Sequence, residues 1–135
     1  MTSTDIIVEA KEKGIPLLSV VIPVFNEAAT IESLLERVLN AEFDKEIVLV
    51  DDGSTDGTRD VLRTKIEGAF TNVHVFYHDR NRGKGAAVRT GIEKSIGAIV
   101  LIQDADLEYD PKEYGVLLGP ILDGRADVVF GSRFL

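Results

Sequence analysis

Residues 17–27 read LLSVVIPVFNE. Leu17, Leu18, Val20, Val21 and Ile22 form a near-continuous apolar run, rich in β-branched side chains and broken only by Ser19. A strand with one wet face alternates apolar and polar residues. A run without alternation predicts a strand covered on both faces, as inside a parallel sheet. Pro23 has no N–H to give to a ladder and is expected to end the strand. Ile31, Leu34, Leu35, Val38 and Leu39 then recur at helical spacing, and Asn26 is placed to cap that helix.

Working outward, the same sequence of strand and helix repeats. Residues 46–50 (EIVLV), 73–77 (VHVFY), 98–102 (AIVLI) and 127–130 (DVVF) read as further strands. Between them lie a short helix with Val61, Leu62 and Ile66 running to Gly68, and a helix over residues 85–95 stopped by Gly97. A last helix carries Tyr114, Leu117, Leu118, Ile121 and Leu122, and Pro120 should kink or divide it. This order predicts an α/β, Rossmann-like fold: a mostly parallel sheet with helices on both faces. Residues 1–15 are expected to be a loose charged arm or an extra helix, and residues 16–135 one domain.

Composition narrows the function. The 135 residues are 44% hydrophobic, enough for one packed core. A net charge of -8, from 15 basic and 23 acidic side chains, excludes a general nucleic-acid binder, which needs a basic face. It allows one small phosphorylated ligand on a local basic patch. There are no cysteines, so disulfides and thiolate zinc sites are ruled out. His74 and His78 fall together near one strand and read as ordinary polar positions rather than a metal pair. No secretory signal and no apolar run of membrane-spanning length is visible, which suggests a cytoplasmic chain.

Unusual polar residues follow the strands at the edge where such sheets bind ligands. Residues 23–27 (PVFNE) follow the first strand, 51–58 (DDGSTDGT) the second, 80–85 (RNRGKG) the third and 104–106 (DAD) the fourth. In the second loop, Ser54 and Asp56 are expected to cap the next helix, which leaves one of Asp51 and Asp52 to face a ligand. RNRGKG is the one dense basic segment. It opens a helix, so its amides and macrodipole add to the charge of Arg80, Arg82 and Lys84, and a phosphate fits there. Neither a P-loop nor a dinucleotide fingerprint is present. Asp104 and Asp106 alternate, so extended backbone sends both carboxylates from one face, and Glu108 continues the alternation. Hard oxygen ligands at that spacing suit Mg²⁺ or Mn²⁺. Asp110, just before Pro111, reads as a helix N-cap.

The stretches VVIPVFNEAATI, IVLVDDGSTDGT, NRGKGAAVRTGI, LIQDADLEYDP and DVVFGSRF together resemble glycosyltransferase family 2, of GT-A fold. Within it they look most similar to polyprenyl-phosphate sugar synthases of the dolichyl-phosphate mannose synthase type. The resemblance implies inverting sugar transfer from a nucleotide sugar of GDP-mannose or UDP-glucose type to a polyprenyl phosphate or glycan acceptor. It implies that Pro23, Val24 and Glu27 line the nucleoside pocket, that Asp52 binds the base, and that Lys84 lies near the nucleotide. Asp104, Ala105 and Asp106 would be the family's D-x-D, its two acids holding Mg²⁺ or Mn²⁺. Glu108 would be a further ligand, at a position where related synthases often carry Gln. Arg133 would contact a phosphate. No general base is assigned, because a lipid phosphate acceptor is already an anion.

Family enzymes continue past the GSRF motif, so the resemblance implies that most of the acceptor half lies outside these residues. It also implies association of the full-length enzyme with the cytoplasmic face of a membrane. An exposed sheet edge or apolar patch left by the absent part could drive dimerisation. Donor binding without turnover is the alternative reading. A response-regulator receiver also ends a strand in paired acids, but it needs an aspartate acceptor after the third strand, where this chain has His78 and Asp79.

Overall fold

The computed structural model describes residues 3–105 and 110–122. Asp106, Glu108, the strand expected at residues 127–130 and Arg133 lie outside the described residues. The elements run α1 (Ser3–Lys13), β1 (Leu18–Val24), α2 (Ile31–Asn40), β2 (Lys45–Asp51), α3 (Thr58–Val61), β3 (Val73–Tyr77), α4 (Lys84–Lys94), β4 (Ile99–Ile102) and α5 (Tyr114–Leu122). A π-helical turn, Leu62–Ile66, extends α3, and a 3₁₀ turn, Pro111–Glu113, leads into α5.

The four strands are parallel in the order β3-β2-β1-β4. β1 is central, and all seven of its residues are buried, as the unbroken run at 17–22 requires. Alternate side chains serve two cores. Leu18, Val20, Ile22 and Val24 join Ile47, Leu49 and Leu101 on one face, against Leu34 and Val38 of α2, Leu62 and Ile66 after α3, and Tyr114 and Leu118 of α5. Val21, Val48, Val50 and Ile102 face the other way, onto Ala87 of α4. Gly91 lets α4 lie directly on β1, since a Cβ there would fall 2.2 Å from Val21 Cγ1. Helices thus cover both faces, as expected. Residues 3–13 are helical, Ile6 and Ile7 pack α1 against the first core, and Ala10 is buried.

Four local expectations are corrected. Pro23 does not end β1, which continues to Val24. The Val24 carbonyl accepts from Asp52 N on the β2 side, and the Val21 carbonyl accepts from Gln103 N on the β4 side. Pro23 shares the parity of Val21, so its missing N–H faces β4, whose pairing has already stopped at Ile102. Gly97 does not stop α4, which ends at Lys94 with Ser95 extended after it. Its bare Cα instead fits against β1: a Cβ would lie 2.6 Å from Ser19 Oγ and 2.7 Å from the Leu18 carbonyl carbon. Asn26 does not cap α2; Thr30 holds that position. Pro120 does not divide α5, whose backbone is helical through to Leu122. Asp110 does cap, its carboxylate accepting from Lys112 N at 3.0 Å.

Candidate functional site

The chain order reverses at β1: β2 and β3 build out on one side, and the chain then crosses to place β4 on the other. In an open parallel sheet this is where the loops leaving two adjacent strands part and open a crevice. The loss of ladder pairing beside Pro23 widens the gap. A cavity of about 380 Å³ lies there. Pro23, Val24, Phe25 and Glu27 line it from β1, Asp52 from β2, Asn81, Gly83, Lys84 and Ala87 from the start of α4, and Asp104 and Ala105 from β4. The four polar loops singled out in the sequence therefore meet in one place.

The acids of the β2 loop mostly hold the walls of this cavity. Asp51 is fully buried, and its Oδ2 accepts from Arg59 Nε at 2.7 Å and from Ser54 N at 3.3 Å, while its Oδ1 has no hydrogen-bond partner. Asp52 is also buried. Its Oδ1 faces His78 Nδ1 at 2.8 Å and accepts from Arg82 N at 2.8 Å, and its Oδ2 accepts from Gly83 N at 2.9 Å. A carboxylate has roughly four acceptor sites, so these three contacts leave one, and Asp52 lines the cavity. Gly53 makes this approach possible. Its φ is +73°, and a Cβ there would lie 2.3 Å from the Arg80 carbonyl carbon and 2.4 Å from Asn81 N.

The rest of DDGSTDGT ties down the loop after β1. Ser54 Oγ accepts from Asn26 N, Thr58 Oγ1 from Glu27 N and Asp56 Oδ2 from Ala28 N, at 2.9, 2.9 and 3.3 Å. Asn26 returns the contact, accepting from Thr55 N at 2.8 Å, in a left-handed conformation (φ 53°) that Asn tolerates better than most residues. Ser54 therefore spans two loops instead of capping α3, whose N-cap is Gly57. Asp56 also accepts from the amide and hydroxyl of Thr58. These bonds hold its carboxyl below the ordinary 3.8, the Thr58 hydroxyl contributing most and the weak burial acting the other way. Glu27 Oε2 accepts from the Thr30 hydroxyl at 2.8 Å.

Across the crevice, Asp104 is buried (5% exposed) and forms an ion pair with Lys84, the first residue of α4. A buried carboxylate needs such a positive partner. Next to it, Gln103 is fully buried; its side chain donates to the Asp104 carbonyl at 3.2 Å and accepts from the Tyr114 hydroxyl at 2.8 Å, joining the β4 loop to α5.

Three residues escaped the sequence reading. Phe25 lies within the PVFNE stretch, where its apolar ring carries no chemical signal, yet it is 44% exposed on the cavity wall. Gln103 stands between the apolar run at residues 98–102 and the acids, with no local signal of a role. His78 read as an ordinary polar position, yet it is buried just past β3, between Asp52 and Thr90 Oγ1, the latter 2.9 Å from its Nε2. A histidine followed at once by a charged loop was the available signal.

Comparison with known proteins agrees with this geometry. An undecaprenyl-phosphate 4-deoxy-4-formamido-L-arabinose transferase from Pseudomonas aeruginosa is 43% identical over 127 residues, 91% of this chain and 37% of the relative. Among solved structures, the mannosyltransferase PcManGT from Pyrobaculum calidifontis, in complex with GDP-Man and Mn²⁺, has a TM-score of 0.62 at 34% identity over 67% of this chain and 28% of its own. Glucosyl-3-phosphoglycerate synthase from Mycobacterium tuberculosis, in complex with Mn²⁺ and UDP-glucose, has a TM-score of 0.63 at 28% identity over 92% of this chain and 44% of its own. The sheet and its helices are thus of GT-A type. The chain spans about a third of the length of the curated relatives it matches. Residues 19–135 match the model of Glycosyl transferase family 2, and with relatives of this identity and coverage the chain belongs to that family.

Proposed function

We propose that the crevice binds a nucleoside diphosphate sugar and that the protein transfers the sugar, with inversion, to the phosphate of a polyprenyl acceptor. The observation that carries this reading is the convergence of four strand-end loops on one cavity whose polar edge is a buried carboxylate facing an ammonium. Pro23, Val24 and Phe25 would pack on the base and ribose, with the last acceptor site of Asp52 and the Glu27 carboxylate at its polar edge. Lys84 would turn from Asp104 to a diphosphate oxygen, and Arg133 would meet a phosphate. The acceptor class is that named for the Pseudomonas aeruginosa relative. A lipid-borne acceptor would bring the enzyme to a membrane surface; among the described residues no helix is long and apolar enough to cross one.

A divalent cation fits one part of this site. Asp104 is a hard oxygen donor, buried and already opposite a positive charge. Among the described residues no three His, Cys, Asp or Glu side chains gather closely enough to hold an ion. The ligand set proposed is Asp104 with Asp106 and Glu108, on their alternate spacing in the sequence; the latter two lie outside the described residues. A bound Mg²⁺ or Mn²⁺ would supply charge stabilisation to the departing diphosphate. The acceptor phosphate is an anion at neutral pH and needs no strong base from the chain.

Calorimetry with GDP, UDP, GDP-mannose and UDP-glucose, with and without Mn²⁺, tests the reading. Metal-dependent binding lost in Asp104→Ala and Asp106→Ala is expected, with transfer to a polyprenyl phosphate. Binding unchanged in both variants would overturn the metal assignment. Binding without transfer by these residues would favour a donor-binding role alone.

A further inference from the structure

We infer that His78 is a positioning residue for the donor site: it orients the Asp52 carboxylate that clamps the loop carrying Lys84. The inference rests on the proposed donor site for its consequence, but the clamp itself is a matter of the chain alone. Asp52 receives the backbone amides of Arg82 and Gly83, two successive donors immediately before α4. A carboxylate on a Cα–Cβ stem can rotate; two amides on a loop cannot choose its rotamer unless the loop is already placed. His78 breaks that circularity. It leaves β3 with its amide bonded to the Asp51 carbonyl at 2.8 Å, so its backbone is fixed to the sheet. Its ring spans from Asp52 Oδ1, at 2.8 Å, to Thr90 Oγ1, at 2.9 Å, on the second turn of α4.

The chemistry of the partners sets the tautomer. A carboxylate can only accept, so Nδ1 carries the proton. In the neutral ring Nε2 then accepts from the Thr90 hydroxyl. The imidazole is only 6% exposed, held between its two partners. The result is a relay of position: sheet to His78, His78 to Asp52, Asp52 to the two amides, and the amides to Lys84 at the head of α4, which faces Asp104 across the crevice. Charge-assisted bonds of this kind are among the stronger polar contacts in proteins, and they hold here in a buried setting. His78 itself is not among the residues that line the cavity, so it acts through Asp52, Lys84 and the loop.

The two amide side chains that mimic opposite halves of imidazole separate positioning from mere packing. The Asn amide nitrogen falls where Nδ1 lies, and the Gln amide nitrogen falls where Nε2 lies. His78→Asn keeps the bond to Asp52 and loses Thr90; His78→Gln keeps the reach to Thr90 and loses Asp52. Hydrogen exchange of the Arg82 and Gly83 amides, without any ligand, reads the clamp directly. In His78→Gln they are expected to exchange on the order of tenfold faster than in the parent, as loss of a charge-assisted bond implies, and in His78→Asn to remain protected. UDP and GDP affinity with Mn²⁺ should follow the same order, weakening about tenfold in His78→Gln and little in His78→Asn. Nitrogen NMR should find the proton on Nδ1. Equal exchange in the two variants, or a ring protonated on Nε2 alone, would overturn the inference. If the exchange contrast holds while the parent binds no nucleotide, the clamp stands and the proposed donor site fails.

Discussion

Gly53→Ala is the sharpest test of how the β2 loop meets the loop after β3. The substitution adds one methyl group at φ +73°, where a Cβ would sit 2.3 Å from the Arg80 carbonyl carbon, 2.4 Å from Asn81 N and 2.9 Å from Arg80 Cα. All three atoms are backbone, so no rotamer change relieves the contact, and the loop must retreat by about 1 Å. Left-handed backbone costs a non-glycine residue roughly 1–2 kcal/mol. Overpacking against a rigid neighbour adds about 1–3 kcal/mol. A total near 2–5 kcal/mol leaves a domain of ordinary stability, about 5–15 kcal/mol, folded but weakened. The retreat also draws the Arg82 and Gly83 amides from Asp52. Gly57→Ala is the control: its φ is +99°, but nothing lies within 4 Å of its Cβ, so only the conformational cost remains. Urea unfolding of the two variants, with hydrogen exchange at Arg82 and Gly83, checks the argument. If both lose the same stability to within about 0.5 kcal/mol, or if the amides keep their protection in Gly53→Ala, the packing argument is wrong.

Phe25→Ala should weaken UDP and GDP binding by roughly tenfold, the loss of one stacked base at about 1–3 kcal/mol, while urea unfolding changes little, since the ring is 44% exposed. Lys84→Met removes a half-exposed partner of a buried carboxylate; the loss of stability should be about 1 kcal/mol. Added Mn²⁺ should raise the melting temperature of Lys84→Met more than that of the parent, and an equal rise would count against a cation at Asp104. For Asp56, a carboxyl held below its ordinary 3.8 in the folded chain stabilises the fold fully above that value, and the contribution fades as pH falls through the lower folded value. The stability gap between the parent and Asp56→Asn should therefore be constant near neutrality and close below about pH 4. A gap independent of pH would refute the role given to its charge.

Much of this architecture was legible because each signal was local and periodic. The unbroken run at residues 17–22 required cover on both faces, and β1 is central with none of its side chains exposed. The spacing from Ile31 to Val38 placed α2, and Pro111 placed the cap at Asp110. The polar loops were legible as a set, because a parallel sheet puts every strand end on one edge. What each acid in them does was not. Asp51 and Asp52 look alike in sequence, yet one is paired with Arg59 and the other clamps two amides, a difference decided by residues 8 and about 30 positions away. Gly97 looked like a helix stop because that reading is local; its contact with Ser19 spans 78 residues.

The sequence by itself determined the alternation of elements, the parallel sheet, and the edge where its polar loops gather, since these follow from side-chain periodicity and strand-end composition. Only the tertiary structure decided where on that edge the crevice opens and which side chains shape it. Strand order is set by which apolar faces pack together, and it put β4 beside β1. That neighbour turned the missing N–H of Pro23 into an opening and set Lys84 opposite Asp104. The packing of α4 over β2 and β1 buried His78, unremarkable in sequence, where a carboxylate and a hydroxyl fix both nitrogens of its ring.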